Sequence, residues 1–194
     1  MEKLSNSDLQ VLVDTLIDKL NKDNFKPNII VAASESVDHL ASKLSQYFSV
    51  GYTHIKGGHR ANSNNILLQY AYSILRKIKK GFFRNIDSGD NHLLRISRKL
   101  VMEIYKRTDP CYVDENNSSS NKIFKKYGLE SSILIVDDNV FTGKTLECVT
   151  RFLVGKGFNK EKMRKATITA PYQYKPDYYA SEKELSFPWN PVGI

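Results

Sequence analysis

The chain alternates between short apolar runs and longer stretches of helical period. Residues 29–32 (Ile-Ile-Val-Ala) and 133–136 (Ile-Leu-Ile-Val) are apolar without interruption, the pattern of strands covered on both faces of a parallel sheet. Residues 166–170 (ATITA) alternate and predict a third strand. Residues 47–56 alternate loosely through Phe48, Val50, Tyr52 and His54 and predict another, broken by Gly57-Gly58. Helical stripes lie between these runs. One covers residues 7–20 through Leu9, Leu12, Val13, Leu16, Ile17 and Leu20, with Ser7 and Gln10 spaced as a capping box. Another covers residues 37–48, with Leu40, Ala41, Leu44 and Phe48 inward. A third follows residue 145 through Leu146, Val149, Phe152 and Leu153. Two more, 66–79 and 93–106, fill the middle of the chain. Strand, short loop and helix in repetition predict an α/β domain: an open, mainly parallel sheet flanked by helices, with a helical insertion. In such a sheet a ligand sits at the carboxyl ends of the strands.

One stretch carries chemistry as well as pattern. Residues 133–146 read ILIVDDNVFTGKTL. Asp137 and Asp138 stand where the buried strand leaves the sheet. Phe141, Thr142, Gly143, Lys144 and Thr145 then form a small-residue turn into a helix. A helix N-terminus directs amide N–H groups and a positive dipole end at an anion, and glycine permits close approach. Two carboxylates one step away repel a phosphate and suit hydroxyl groups or a divalent cation. The layout is not a P-loop, because Asp138 stands where that motif needs its first glycine. A doubly wound strand ending in Asp-Asp by chance is the plain alternative; the order of strand, acids, loop and helix favours a sugar-phosphate seat.

This stretch resembles the phosphoribosyl pyrophosphate (PRPP) motif of the type I phosphoribosyltransferases: a hydrophobic strand, two acids, a few variable positions and Thr-Gly-x-Thr. The resemblance implies that Asp137 and Asp138 face the ribose hydroxyls, and Mg²⁺ indirectly through Mg-PRPP. It implies that residues 141–145 hold the 5′-phosphate. It puts the pyrophosphate loop at Ala33, Ser34, Glu35 and Ser36, where the serines offer hydroxyls. Family members carry Arg or Lys and glycines there; this chain has Glu35, a charge that opposes pyrophosphate. The segment KPDYYASEKELSFPW resembles the C-terminal part of purine-type members and puts a base region at Tyr172, Leu185, Phe187 and Trp189. Phe141 replaces the Asp that 6-oxopurine enzymes use on the base, and it cannot accept a proton. The implied partners are PRPP and a base or nucleotide, in a homodimer.

Composition changes the picture in one respect. The formal net charge is +8 over 194 residues. Twelve of the 29 Lys/Arg but only four of the 21 Asp/Glu lie in residues 56–109, so the whole excess sits there. That segment, within a basic and mostly helical insertion or hood at residues 57–121, reads either as a solvated face or as a surface for nucleic acid or a protein partner. No apolar run is long enough to span a membrane, and MEKLSNSD lacks a signal-peptide layout. Cys111 and Cys148 have no metal or redox spacing, Cys148 reads as a packed thiol, and a cytoplasmic setting is expected. The four histidines are scattered without zinc spacing. The readings that stay open are a single phosphoribosyltransferase-like domain transferring phosphoribosyl from PRPP to a nucleobase or related acceptor, and a PRPP- or nucleotide-sensing regulator acting through the basic insertion.

Overall fold

The structure, a computed structural model, describes residues 2–55, 57–59, 111–113 and 126–188. The expected helices at 66–79 and 93–106, most of the basic insertion and Trp189 lie outside them. By internal contacts the chain divides into two units, residues 1–58 with 113–194, and residues 59–112. The first unit holds the sheet.

Helix α1 (Asn6–Lys22) starts at Ser5, not at the expected Ser7. Ser5 is extended and accepts from the Asp8 amide at 3.2 Å, while Asp8 Oδ2 accepts from the Ser5 amide at 3.0 Å. The capping box is therefore Ser5–Asp8, closed by a short carboxylate rather than by the Gln10 amide expected from the sequence. The apolar stripe is where the period puts it, with Leu9, Val13, Leu16, Ile17 and Leu20 buried.

Strand β2 (Ile29–Ala32) follows, then a 3-10 turn (Glu35–Val37), helix α2 (Asp38–Phe48) and strand β3 (Gly51–His54). Gly57-Gly58, read as a break, instead belongs to β4 (Gly57–His59), which pairs with β5 (Cys111–Val113). Strand β6 (Ile133–Asn139) carries the acidic pair and feeds α3 (Lys144–Gly155). Strands β7 (Met163–Thr169) and β8 (Tyr178–Ser181) complete the main sheet. A short parallel pair outside it joins β1 (Glu2–Lys3) to β9 (Leu185–Ser186).

The main sheet is five-stranded and wholly parallel, in the order β3-β2-β6-β7-β8. Its two faces are read directly from the alternation of side chains. Ile30, Ala32, Leu134, Val136, Ala166 and Ile168 pack against α1 and α2. Ile29, Val31, Ile133 and Ile135 pack against Leu146, Val149 and Leu153 of α3. Every residue of β2 and the first five of β6 are buried, as continuous apolar runs demand of central strands.

The order of strands fixes where a ligand fits. From β2 the chain moves outward to β3; from β6 it moves the other way, to β7 and β8. The loops leaving the carboxyl ends of β2 and β6 therefore diverge, and the crevice between them is the sheet's topological switch point. The register Ala32↔Val136 aligns the two strand ends, and the Ala33 amide still donates to Val136 O at 2.9 Å. Residues 33–36 and the Asp137–Asp138 pair thus meet at this point.

Candidate functional site

Asp137 is the last buried residue of its strand and only 8% exposed. Its Oδ1 accepts from the Asp138 amide at 3.0 Å, and Asp138 Oδ1 accepts from the Asn139 amide at 2.7 Å. Burial pushes the Asp137 carboxyl well above the usual carboxylate range, and the neighbouring Asp138 charge adds to the rise. Backbone and Ser34 hydrogen bonds pull the other way without reversing it.

The loop after β2 turns back onto this pair. Ser34 hydrogen-bonds Asp137, Ser36 Oγ donates to Asp138 Oδ2 at 3.3 Å, and the two hydroxyl oxygens are 2.8 Å apart. Glu35, exposed on the 3-10 turn, stands between the two serines in sequence. The hydroxyls expected to await pyrophosphate are thus engaged with the acids.

The turn into α3 is organised around Gly143. It is the N-cap of α3 with φ 75°, a left-handed backbone that glycine adopts without strain. Having no side chain, it offers no cap to the first-turn amides. Thr142 Oγ1 accepts from the Lys144 amide at 3.4 Å, and the Val140 amide donates to Thr169 O at 3.0 Å, tying the turn to the end of β7. Of the turn residues, Gly143 is buried, and Phe141, Thr142, Lys144 and Thr145 are half-buried.

A second reason for glycine is a ring. A Cβ at position 143 would come within 2.3 to 2.4 Å of three ring carbons of Tyr174. Tyr174 comes from the loop after β7 and packs with the α3 side of the core. Its hydroxyl donates to Glu147 Oε1 at 3.3 Å, and Lys165 Nζ meets the same oxygen at 2.5 Å. Burial opposes the charge on both Glu147 and Lys165, yet their mutual bond holds the carboxyl below and the ammonium above their ordinary values. Burial raises the Tyr174 phenol. Sequence reading missed this support. Lys165 and Tyr174 are 18 and 27 positions from Glu147, and no local spacing announces a contact that only the parallel register creates.

The residues read as a base region separate in space. The Phe141 and Tyr172 rings meet edge to face, with centroids 4.2 Å apart. Leu185 and Phe187 are buried at 6% and 4% in the core layer formed with α1 and α2, on the sheet face opposite α3. Cys148, read as a packed thiol, is buried but disulfide-bonded, and none of the described cysteines is free.

A five-stranded parallel sheet flanked by helices, in this strand order, agrees with one known architecture at full length. The chain has the type I phosphoribosyltransferase fold. A purine phosphoribosyltransferase from Pyrococcus horikoshii superposes with a TM-score of 0.60 at 17% identity, over 100% of this chain and 95% of that one. The Helicobacter pylori xanthine-guanine-hypoxanthine phosphoribosyltransferase gives 0.61 at 14% identity, over 97% and 93%. A hypothetical protein from Neisseria gonorrhoeae with bound ppGpp gives 0.57 at 12% identity, over 100% and 93%. No protein-family model and no curated protein matches the sequence. At these identities the phosphoribosyltransferase likeness is one of fold. Among the described residues no helix is long and apolar enough to cross a membrane.

Proposed function

We propose that this chain binds PRPP at the switch point and transfers its phosphoribosyl group to a nucleobase or related acceptor, releasing pyrophosphate. The observation that carries the proposal is the adjacency of Asp137 and Asp138 to the Gly143 turn at the carboxyl end of the central strand. The two carboxylates accept the ribose hydroxyls. The amides of residues 141–145 and the Thr142 and Thr145 hydroxyls receive the 5′-phosphate at the positive end of α3. Fixing both ends of the sugar-phosphate orients the anomeric carbon toward the acceptor, the positioning such a transfer needs.

Magnesium fits the donor set in one form. Among the described residues there is no cluster of three or more His, Cys, Asp or Glu that could cage a metal. Two adjacent carboxylates suit a hard cation that keeps most of its water and arrives with its phosphates. Such an ion supplies charge neutralisation to the leaving pyrophosphate. Asp137 and Asp138 are the residues that would face it.

The Phe141–Tyr172 pair supports an acceptor recognised by ring contact rather than by proton exchange at position 141. The test is pyrophosphate release from Mg-PRPP across a panel of bases and nucleotides, alongside PRPP titrations of wild type and Asp137→Asn/Asp138→Asn. Turnover with one acceptor, lost in the double variant, is expected. Tight PRPP binding with no turnover on any acceptor refutes the transferase reading.

A second reading rests on Glu35. An exposed carboxylate in the loop after β2 opposes the leaving group that a transferase must stabilise. In that reading the site senses PRPP or a nucleotide and acts through residues 56–109. The ppGpp bound to the Neisseria gonorrhoeae protein makes guanosine tetraphosphate the first ligand to titrate. Saturable binding without turnover favours it.

A further inference from the structure

The hydroxyl pair on the acids has the form of a ligand. Ser34 and Ser36 each direct a hydroxyl at one member of the acidic pair, Ser34 at Asp137 and Ser36 at Asp138. Their oxygens lie 2.8 Å apart. The two oxygens of a cis-diol on adjacent carbons are also about one hydrogen-bond length apart. The serines are held in this arrangement by the fold: Ala32 is in register with Val136, the Ala33 amide extends the ladder, and the 3-10 turn brings Ser36 back over the strand end. Ser36 is exposed and Ser34 half-buried, so neither hydroxyl is needed to fill the core.

We propose that Ser34 and Ser36 are a built-in stand-in for a sugar diol, occupying the acidic pair until a ribosyl ligand displaces them. The inference rests on the reading of Asp137 and Asp138 as the ribose seat. Two consequences follow from counting hydrogen bonds. A ribosyl ligand must displace the serines to reach the acids, so the acids contribute less net affinity in the wild type than they do once the serines are removed. A 2-deoxyribosyl ligand has one hydroxyl for the seat and leaves one serine in place, so it binds almost as well. The serine pair thereby sets how strongly the site discriminates ribose from deoxyribose.

The experiment is calorimetric titration of ribose 5-phosphate, 2-deoxyribose 5-phosphate and inorganic phosphate into wild type, Ser34→Ala/Ser36→Ala and Asp137→Asn/Asp138→Asn. Removing the serines is expected to tighten ribose 5-phosphate about tenfold, the size of one net hydrogen bond to a charged group. It is expected to tighten the deoxy compound only about threefold, on half that gain. Inorganic phosphate is expected to bind both proteins alike. Binding of ribose 5-phosphate that needs the acids but is unchanged or weaker without the serines overturns the proposal and leaves the site reading intact. Binding that survives Asp137→Asn/Asp138→Asn overturns the site reading and the proposal together. Ser36→Ala alone, at an exposed position, is expected to give part of the same gain, and keeps the test decisive if the double variant folds poorly.

Discussion

Gly143→Ala isolates what holds the phosphate turn in shape. Two costs add. Alanine at φ 75° occupies the left-handed region, at about 1–2 kcal/mol. Its Cβ also falls within 2.3 to 2.4 Å of the Tyr174 ring, too close for any real contact. The ring cannot swing aside freely, because its hydroxyl is held by Glu147 and its body packs in the α3 core layer. Overpacking of this kind costs about 1–3 kcal/mol. The expected total is about 2–5 kcal/mol, or a fall in Tm of roughly 5–15 °C for a chain of this size.

A cycle with Tyr174→Ala separates the two parts. With the ring gone only the backbone cost remains, so Gly143→Ala in that background is expected to lose about 1–2 kcal/mol. Denaturant unfolding of the four proteins gives the coupling, expected at about 1–3 kcal/mol and equal to the overpacking cost. If Gly143→Ala is equally damaging with and without the ring, Tyr174 does not brace the turn, and the account of the turn given above is wrong.

Asp137→Asn is expected to stabilise the protein at neutral pH while weakening ribosyl ligands. Burial raises the folded-state carboxyl above its ordinary value of 3.8, so above that pH folding works against the group's charged form. Wild-type stability from this group is present in acid and lost as pH climbs through the folded value; the variant's advantage should shrink to nothing below about pH 4 in melts run across pH. Glu147→Gln runs oppositely. Lys165 holds the Glu147 carboxyl below its ordinary 4.5, so the wild type gains above that value and loses the gain as acid protonates it. The variant should cost about 1 kcal/mol at neutral pH, after allowance for partial exposure, and nothing in strong acid. Ile135→Ala, at 0% exposure between β2 and β7, should cost about 2–5 kcal/mol without altering the pH profile, as read by denaturant titration.

Much of the fold was legible because its signals are local. The uninterrupted runs at 29–32 and 133–136 became the two central strands, and the stripe from Leu9 to Leu20 became the buried face of α1. The acids and the Thr-Gly-x-Thr turn were legible for the same reason, since strand end, turn and helix start are neighbours in sequence. Ser5, not Ser7, starts α1 because cap geometry depends on backbone angles, and two serines within reach look alike until those angles are known. What was not legible depends on register. Lys165 meets Glu147, Tyr174 covers Gly143 and Ser36 reaches Asp138 only once β2, β6 and β7 are aligned. Leu185 and Phe187 were read into a base region by their place in a motif-like segment, and their burial in the core layer with α1 and α2 could not be seen from that segment alone.

The conflict at Asp137 ties these threads together. Position 137 continues a strand whose four preceding residues are wholly apolar and buried, and a fifth apolar residue there would extend the core at no electrostatic cost. The chain instead carries a carboxyl group that burial and Asp138 both disfavour in its charged form. Nothing in the α3 core layer requires it. Its neighbours respond by supplying what the charge lacks: a backbone amide from Asp138, a hydroxyl from Ser34 and, through Ser36, a second hydroxyl for the adjacent acid. A sugar diol brings the same two hydroxyls. On the proposed reading of the site, the hydroxyls that satisfy the acids stand where a ligand's hydroxyls would, and the strand end is less stable than it would be with an apolar residue in exchange for that seat.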